Sequence, residues 1–186
     1  GFDRGTTAMS PEEFELAANT IEAFILDVRH QNEFVTKHIP RSIFIGLNGD
    51  FAPWVGALVA DTKQPLLLVI PAGKEEEAIT RLSRVGFDGT VGYLKGGIDA
   101  WETAGKETDS ITSVSAADFK EKVAVEQTPI FDVRKEGEYA SEHVLDATHT
   151  PLSNLNNYLS NFPKENEFFV HCAGGYRSVI AASILK

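Results

Sequence analysis

The apolar positions of this chain fall into short continuous runs separated by polar segments with helical spacing. Leu66-Leu67-Leu68-Val69-Ile70 and Phe168-Phe169-Val170 are unbroken apolar stretches, the pattern of strands buried on both faces of a parallel sheet. Ile25-Leu26-Asp27-Val28-Arg29 reads as a further strand that ends in charge. Ser10-Pro11-Glu12-Glu13-Phe14 reads as a helix start, with serine at the N-cap, proline next and an acid three residues on. Strands alternating with helices predict an α/β architecture. The expected order is helix, strand ending in Asp-Val-Arg, loop, strand, helix, strand, helix.

The same order occurs twice. Ile25-Leu26-Asp27-Val28-Arg29 matches Ile130-Phe131-Asp132-Val133-Arg134 at an offset of 105 residues. Glu33-Phe34 matches Glu138-Tyr139, and His38-Ile39 matches His143-Val144. Ser115-Ala116-Ala117-Asp118-Phe119 repeats the helix start. A period this long is a duplicated domain rather than a solenoid. The expected domains are residues 1–105 and 106–186. Because Asp27/Arg29 and Asp132/Arg134 recur in both copies, they are expected to be structural charges tying a loop to the sheet. His38 and His143 are expected to anchor loops.

Cys172 is the sole cysteine. It follows the apolar run in His171-Cys172-Ala173-Gly174-Gly175-Tyr176-Arg177-Ser178, ahead of a segment with helical apolar spacing. A thiol placed there faces loop N–H groups, the positive end of a helix dipole and a guanidinium, all of which favour thiolate over thiol. A buried cysteine of ordinary packing is the alternative, but it gives no reason for two adjacent glycines and an arginine at this spacing. Ligands in open α/β sheets gather at the carboxyl ends of strands, where Cys172 falls. Ser178 is expected to cap the helix more readily than to bond the sulfur. Tyr176 is expected to point outward and shape access.

Four residues separate Cys172 from Arg177, and the segment resembles the active loop of rhodanese-type sulfurtransferases. The resemblance implies two rhodanese-like domains. In the active one, Cys172 would take a sulfane sulfur from thiosulfate or a persulfide such as glutathione persulfide. It would hold that sulfur as a persulfide and pass it to a thiol or other nucleophile, with ping-pong kinetics. The N–H groups of Ala173, Gly174, Gly175, Tyr176 and Ser178 would cradle the anion, and Arg177 would orient an anionic donor. His171 is similar to the histidine that precedes the nucleophile of phosphatases, although a strand-end residue with a satisfied ring is the plainer reading. A Cys-dependent phosphatase or arsenate reductase of similar fold is therefore the alternative, with a non-enzymatic sulfur-carrier module as a third. The phosphatase loop has five intervening residues, suited to a tetrahedral phosphoryl group.

Past the middle of each copy the alignment resumes at an offset of 101, which sets Pro71 opposite Cys172 and Glu76 opposite Arg177. Proline carries no nucleophile and no N–H. Glu75, Glu76 and Glu77 would repel an anionic donor. The first copy is expected to be non-catalytic.

The net charge is −10. No basic run is present, which argues against nucleic acid as a partner. A lone cysteine fits a reducing compartment, and no apolar run approaches a membrane span, so a cytoplasmic location is expected. The five histidines show no zinc-type spacing, and no metal or cofactor is expected in this chain.

Gly1-Phe2-Asp3-Arg4-Gly5-Thr6 lack an initiator methionine and precede the first helix cap. Gly96-Gly97-Ile98-Asp99-Ala100-Trp101 resembles the close of a rhodanese domain, and the second copy stops at Lys186 before its counterpart. The second domain is thus expected to be truncated at its C-terminus and the chain to be a fragment. The tandem arrangement is similar to the C-terminal region of bacterial proteins that begin with a metallo-β-lactamase-like hydrolase domain related to persulfide dioxygenases. That resemblance implies a fused neighbour with its own zinc or iron.

Overall fold

A computed structural model describes residues 7–186. The described chain divides into two units, one running to Ile111 and the other from Thr112. The segment Gly1 to Thr6, which lacks an initiator methionine, lies outside the described residues. The division falls later than the 105/106 boundary expected from sequence, because residues 106–111 are tied into the first unit. His38 and Asp109 exchange backbone hydrogen bonds of 2.9 and 2.8 Å, and the Ile111 N–H donates to the Val35 carbonyl at 2.8 Å.

The first unit contains β1 (Ala8–Met9), α1 (Pro11–Thr20), β2 (Phe24–Asp27), α2 (Gln31–Thr36), β3 (Ile43–Phe44), α3 (Phe51–Leu58), β4 (Leu66–Val69), α4 (Glu75–Arg84), β5 (Thr90–Leu94) and α5 (Gly97–Thr103). The strands form one parallel sheet in the order β1-β5-β4-β2-β3. All four residues of β4 are buried, as its unbroken apolar run requires. Leu67 and Val69 join Phe14, Ile39, Leu94, Ile98 and Trp101 in one core layer. The alternate Leu66 and Leu68 are equally buried and by strand periodicity face the other side. Ser10 and Glu13 form the expected capping box at the start of α1.

Four elements escaped the sequence pattern. Strands β1 and β3 have two residues each, too few to show alternation. Helix α2 has six residues, held at its start by the His30 ring, which accepts from the Asn32 N–H at 3.1 Å, and by Glu33. Helix α3 carries Pro53 and Gly56, residues that ordinarily punctuate helices.

The second unit contains α6 (Ala116–Glu126), β6 (Ile130–Asp132), α7 (Glu136–Ser141), β7 (Thr148–His149), a kinked 3-10 segment (Leu152–Asn161), β8 (Phe169–His171) and α8 (Tyr176–Leu185). Its parallel sheet has the order β7-β6-β8, matching β3-β2-β4. Among the described residues no strand corresponds to β5. Ser113 and Val114, the counterparts of β1, accordingly remain non-regular, because among the described strands β1 is an edge strand beside β5. Strand β8 is half-buried where β4 is fully buried, and α6 has no buried residue. Its Phe119 packs edge-on against Phe169 at 5.0 Å between ring centroids. The core proper gathers Phe131, Phe162 and Phe168 with Leu152, Leu155 and Ile180.

Candidate active site

Cys172 stands directly after β8, at the carboxyl end of the sheet, and is half-buried. Three residues connect it to α8. Gly175 adopts φ +87° and is the N-cap of that helix, a left-handed conformation that costs glycine nothing. The turn aims main-chain donors at the sulfur. The Gly175 N–H donates to Sγ at 3.1 Å and the Ser178 N–H at 3.3 Å, with the Ser178 hydroxyl 3.4 Å away. Ser178 is therefore a sulfur contact and not the helix cap expected from sequence, because the αL glycine has taken the cap position. Ala173 and Gly174 are exposed on the rim, while Tyr176, Arg177 and Ser178 are half-buried.

Arg177 does not stand free for an anion. Its Nη1 donates to Glu138 Oε2 at 2.7 Å and its Nη2 to Oε1 at 3.2 Å. Nothing in the local sequence around either residue signals this bidentate pair. Glu138 lies in the first turn of α7, where its carboxylate also accepts from the Lys135 N–H at 3.1 Å. The Arg177 hydrogen bonds hold the Glu138 carboxyl below its ordinary range, with the Lys135 amide adding to the effect against partial desolvation. The same pair raises Arg177 above its ordinary value, helped by the charge of Cys172. Glu138 is half of a repeat pair, and among the described residues its counterpart Glu33 bonds its own helix start, so the recurrence hid the difference.

The Asp-Val-Arg segments behave as structural ties. Arg134 donates to both Asp132 oxygens at 2.8 to 3.1 Å and to the Glu142 carbonyl at 2.7 Å. Arg29 does the same with Asp27 and the Lys37 carbonyl. Burial pushes Asp27 up despite its arginine. In the smaller second unit burial also opposes ionisation of Asp132, but Arg134 and His171 outweigh it, and the carboxyl is lowered. The His171 ring faces this carboxylate, with Nε2 3.5 Å from Oδ2 and, among the described residues, no hydrogen-bond partner. His38 and His143 anchor loops as expected, through Nδ1 contacts to the Phe34 and Tyr139 carbonyls at 2.8 and 2.7 Å.

The first unit's counterpart differs in register from the sequence alignment. Asp27 pairs with Val69 as Asp132 pairs with His171, which sets Ile70, not Pro71, in the position of Cys172. The extra residue is absorbed by a turn in which the Lys74 N–H donates to the Pro71 carbonyl at 3.0 Å and Gly73 takes φ +83°. Counted from the helix start, Glu76 still matches Arg177. A cavity of about 290 Å³ lies at this end of the sheet, lined among others by His30, Glu33, Pro71, Lys74 and Glu77.

Among the described residues, no cluster of three or more His, Cys, Asp or Glu side chains could hold a metal ion. No described helix is long and apolar enough to cross a membrane.

The model of the rhodanese-like domain matches residues 10–104 and again 115–186. A protein of Bacillus subtilis (strain 168) named "Putative sulfur carrier protein YrkF" is 32% identical over 86 residues, 46% of this chain and 46% of that one. This chain thus spans under half the length of that relative. The Alr3790 protein from Anabaena sp. superposes at TM-score 0.50 with 19% identity, covering 61% of this chain and 98% of that structure. The 3-mercaptopyruvate sulfurtransferase SseA from Escherichia coli gives 0.46 at 15% identity over 97% and 94%. By the double match of the domain, over nearly its whole length, this chain belongs to the rhodanese-like family.

Proposed function

We propose that the second unit is a sulfurtransferase in which Cys172 is the nucleophile and persulfide carrier, and that the first unit is non-catalytic. The observation that carries this reading is the pair of main-chain N–H groups, from Gly175 and Ser178, converging on Sγ at 3.1 and 3.3 Å. Such fixed dipoles stabilise negative charge on sulfur without having to reorganise. They serve the thiolate and the outer sulfur of a persulfide alike.

In the first half-reaction the thiolate attacks the sulfane sulfur of the donor. The donor S–S bond breaks, and sulfite (from thiosulfate) or a thiolate (from a persulfide such as glutathione persulfide) leaves with the electron pair. In the second, an acceptor thiolate attacks the outer sulfur, and Cys172 regains its electron pair. Ile70 offers no nucleophile at the matching place. The site would lie in the cytoplasm and use no cofactor of its own.

The phosphatase reading fares worse. A phosphoryl dianion calls for a free planar fork of donors, and Arg177 already spends two of its N–H groups on Glu138. The carrier reading is favoured by the name of the Bacillus relative. The tandem architecture extends the proposal to a fused metallo-β-lactamase-like domain, with zinc or iron of its own, that exchanges sulfur with Cys172. Isolation of the natural protein at the mass of these residues alone would end that extension.

The test is mass spectrometry of the Cys172 peptide after thiosulfate or persulfide treatment. A gain of about 32 Da, one sulfur atom, is expected and should vanish in Cys172→Ser. Catalytic turnover with a free thiol acceptor separates enzyme from carrier. Hydrolysis of p-nitrophenyl phosphate with no sulfur gain would overturn the proposal.

A further inference from the structure

Building on the sulfurtransferase reading, we infer that Glu138 sets the charge class of the donor, turning the site from dianionic thiosulfate toward persulfides with no charge at the reacting end. The loop supplies its own cation, Arg177, and Glu138 neutralises it through the two hydrogen bonds of 2.7 and 3.2 Å. The ion pair is anchored at both ends. Arg177 belongs to the first turn of α8, and Glu138 is held at the start of α7 by the Lys135 N–H. The nearby Arg134 is likewise matched by Asp132. An incoming donor therefore meets the sulfur-directed amides without a compensating free guanidinium in the loop, and it approaches a thiolate.

For thiosulfate, two negative charges must be brought against that thiolate before its S–S bond breaks and sulfite departs. For a neutral hydrodisulfide RSSH, the thiolate attacks the outer sulfur, RS⁻ leaves with the electron pair and the proton stays on the transferred sulfur. No like-charge approach is required. The first unit lends contrast. Glu33 occupies the place of Glu138 but has glutamates, not an arginine, at the start of the helix opposite, so the acid becomes a specificity device only where Arg177 exists. Glu138 acts through Arg177 and is a positioning residue.

The experiment compares Glu138→Gln, which keeps an oxygen for Arg177 but removes the charge, with Glu138→Asp and the unaltered chain. Rates of sulfur gain on Cys172 are measured with thiosulfate and with an uncharged alkyl hydrodisulfide. Glu138→Gln should raise the thiosulfate-to-hydrodisulfide ratio about ten-fold, the scale of one unscreened charge acting on a dianion across several ångströms. Glu138→Asp should leave the ratio near that of the unaltered chain. In the unaltered chain the thiosulfate rate should rise with ionic strength, and in Glu138→Gln that dependence should flatten or reverse. Parallel changes with both donors, or a salt dependence unaltered by the substitution, would overturn the inference. Failure of the unaltered chain to gain sulfur from either donor would instead remove the functional reading, and the inference with it.

Discussion

Ile70 and Cys172 occupy the same rung of their two sheets, each following the residue that pairs with the aspartate of Asp-Val-Arg. Equivalent backbone position has not produced an equivalent environment. Ile70 is 6% exposed and is followed by a proline and a one-residue-longer turn, and the helix beyond opens with Glu75, Glu76 and Glu77. Cys172 is half-open to solvent beneath two N–H donors.

Restoring a thiol to the first unit should consequently fail to restore chemistry. Ile70→Cys in a Cys172→Ser background is expected to fold, at a cost of about 1–2 kcal/mol for the lost methyl groups. It should gain no sulfur from thiosulfate or an alkyl hydrodisulfide. A 32 Da gain (about one sulfur atom) at the introduced thiol, at a rate near that of Cys172, would show that strand position alone makes the nucleophile.

The two loop glycines make separable predictions. Gly175 needs its positive φ, and a Cβ there would touch nothing within 4 Å, so the cost of Gly175→Ala is backbone strain of about 1 kcal/mol. Relief of that strain would swing the Gly175 N–H off Sγ, and sulfur gain should slow about ten-fold. Gly174 has ordinary φ and equally open surroundings, so Gly174→Ala should change stability by less than about 0.5 kcal/mol. Chemical denaturation and the rate of mass gain check both. Equal effects of the two substitutions would contradict the assigned geometry.

How much of this could be read beforehand follows from the range of each interaction. The strands at Leu66 and Phe169, the Ser10 and Ser115 caps and the Cys172 loop are written in contiguous residues, and local periodicity or capping chemistry exposes them. The Glu138–Arg177 pair joins residues 39 apart in sequence, and only the sheet that sets α7 beside α8 brings them together. Ile70, not Pro71, stands opposite Cys172 for a related reason. A one-residue difference in turn length is invisible until strand pairing fixes the register. Ser178 does not cap α8, because a glycine in the αL conformation takes that place.

Trp101 locks the end of the first unit, and its removal should be costly there. It is 5% exposed and meets Phe14 edge-on at 6.1 Å, and its indole N–H donates to the Glu107 carbonyl. Trp101→Ala is expected to cost about 3–5 kcal/mol. Trp101→Phe, which keeps most of the packing and loses the hydrogen bond, should cost about half of that or less. Hydrogen exchange of peptides from α1 and β5 in the full chain gives the readout. Near-equal losses for the two variants would mean that the indole hydrogen bond, not the packing, holds this layer.

Acid should act on the two units in opposite directions through one shared motif. Burial raises the Asp27 carboxyl above its ordinary value of 3.8. As pH falls through that raised value the folded state binds the proton before the unfolded state does, so acidification down to the ordinary carboxylate range stabilises the first unit at this position. Asp132 is lowered instead, since Arg134 and the nearby His171 overcome the opposing effect of burial, and Glu138 is lowered chiefly by Arg177. For these two groups the stabilisation is complete above the unfolded value and is lost as pH falls through the folded one. The second unit should thus begin to open below the ordinary carboxylate range while the β2 and β4 amides of the first unit stay protected. Hydrogen exchange by mass spectrometry on the full chain, stepped from neutral pH into acid, should show peptides from β6 and β8 losing protection first. Glu138→Gln removes one of the two acid-sensitive contacts and should flatten the pH dependence of the α7 and α8 peptides specifically. Loss of protection in the first unit ahead of the second would refute the assignment of opposite signs to the two aspartates.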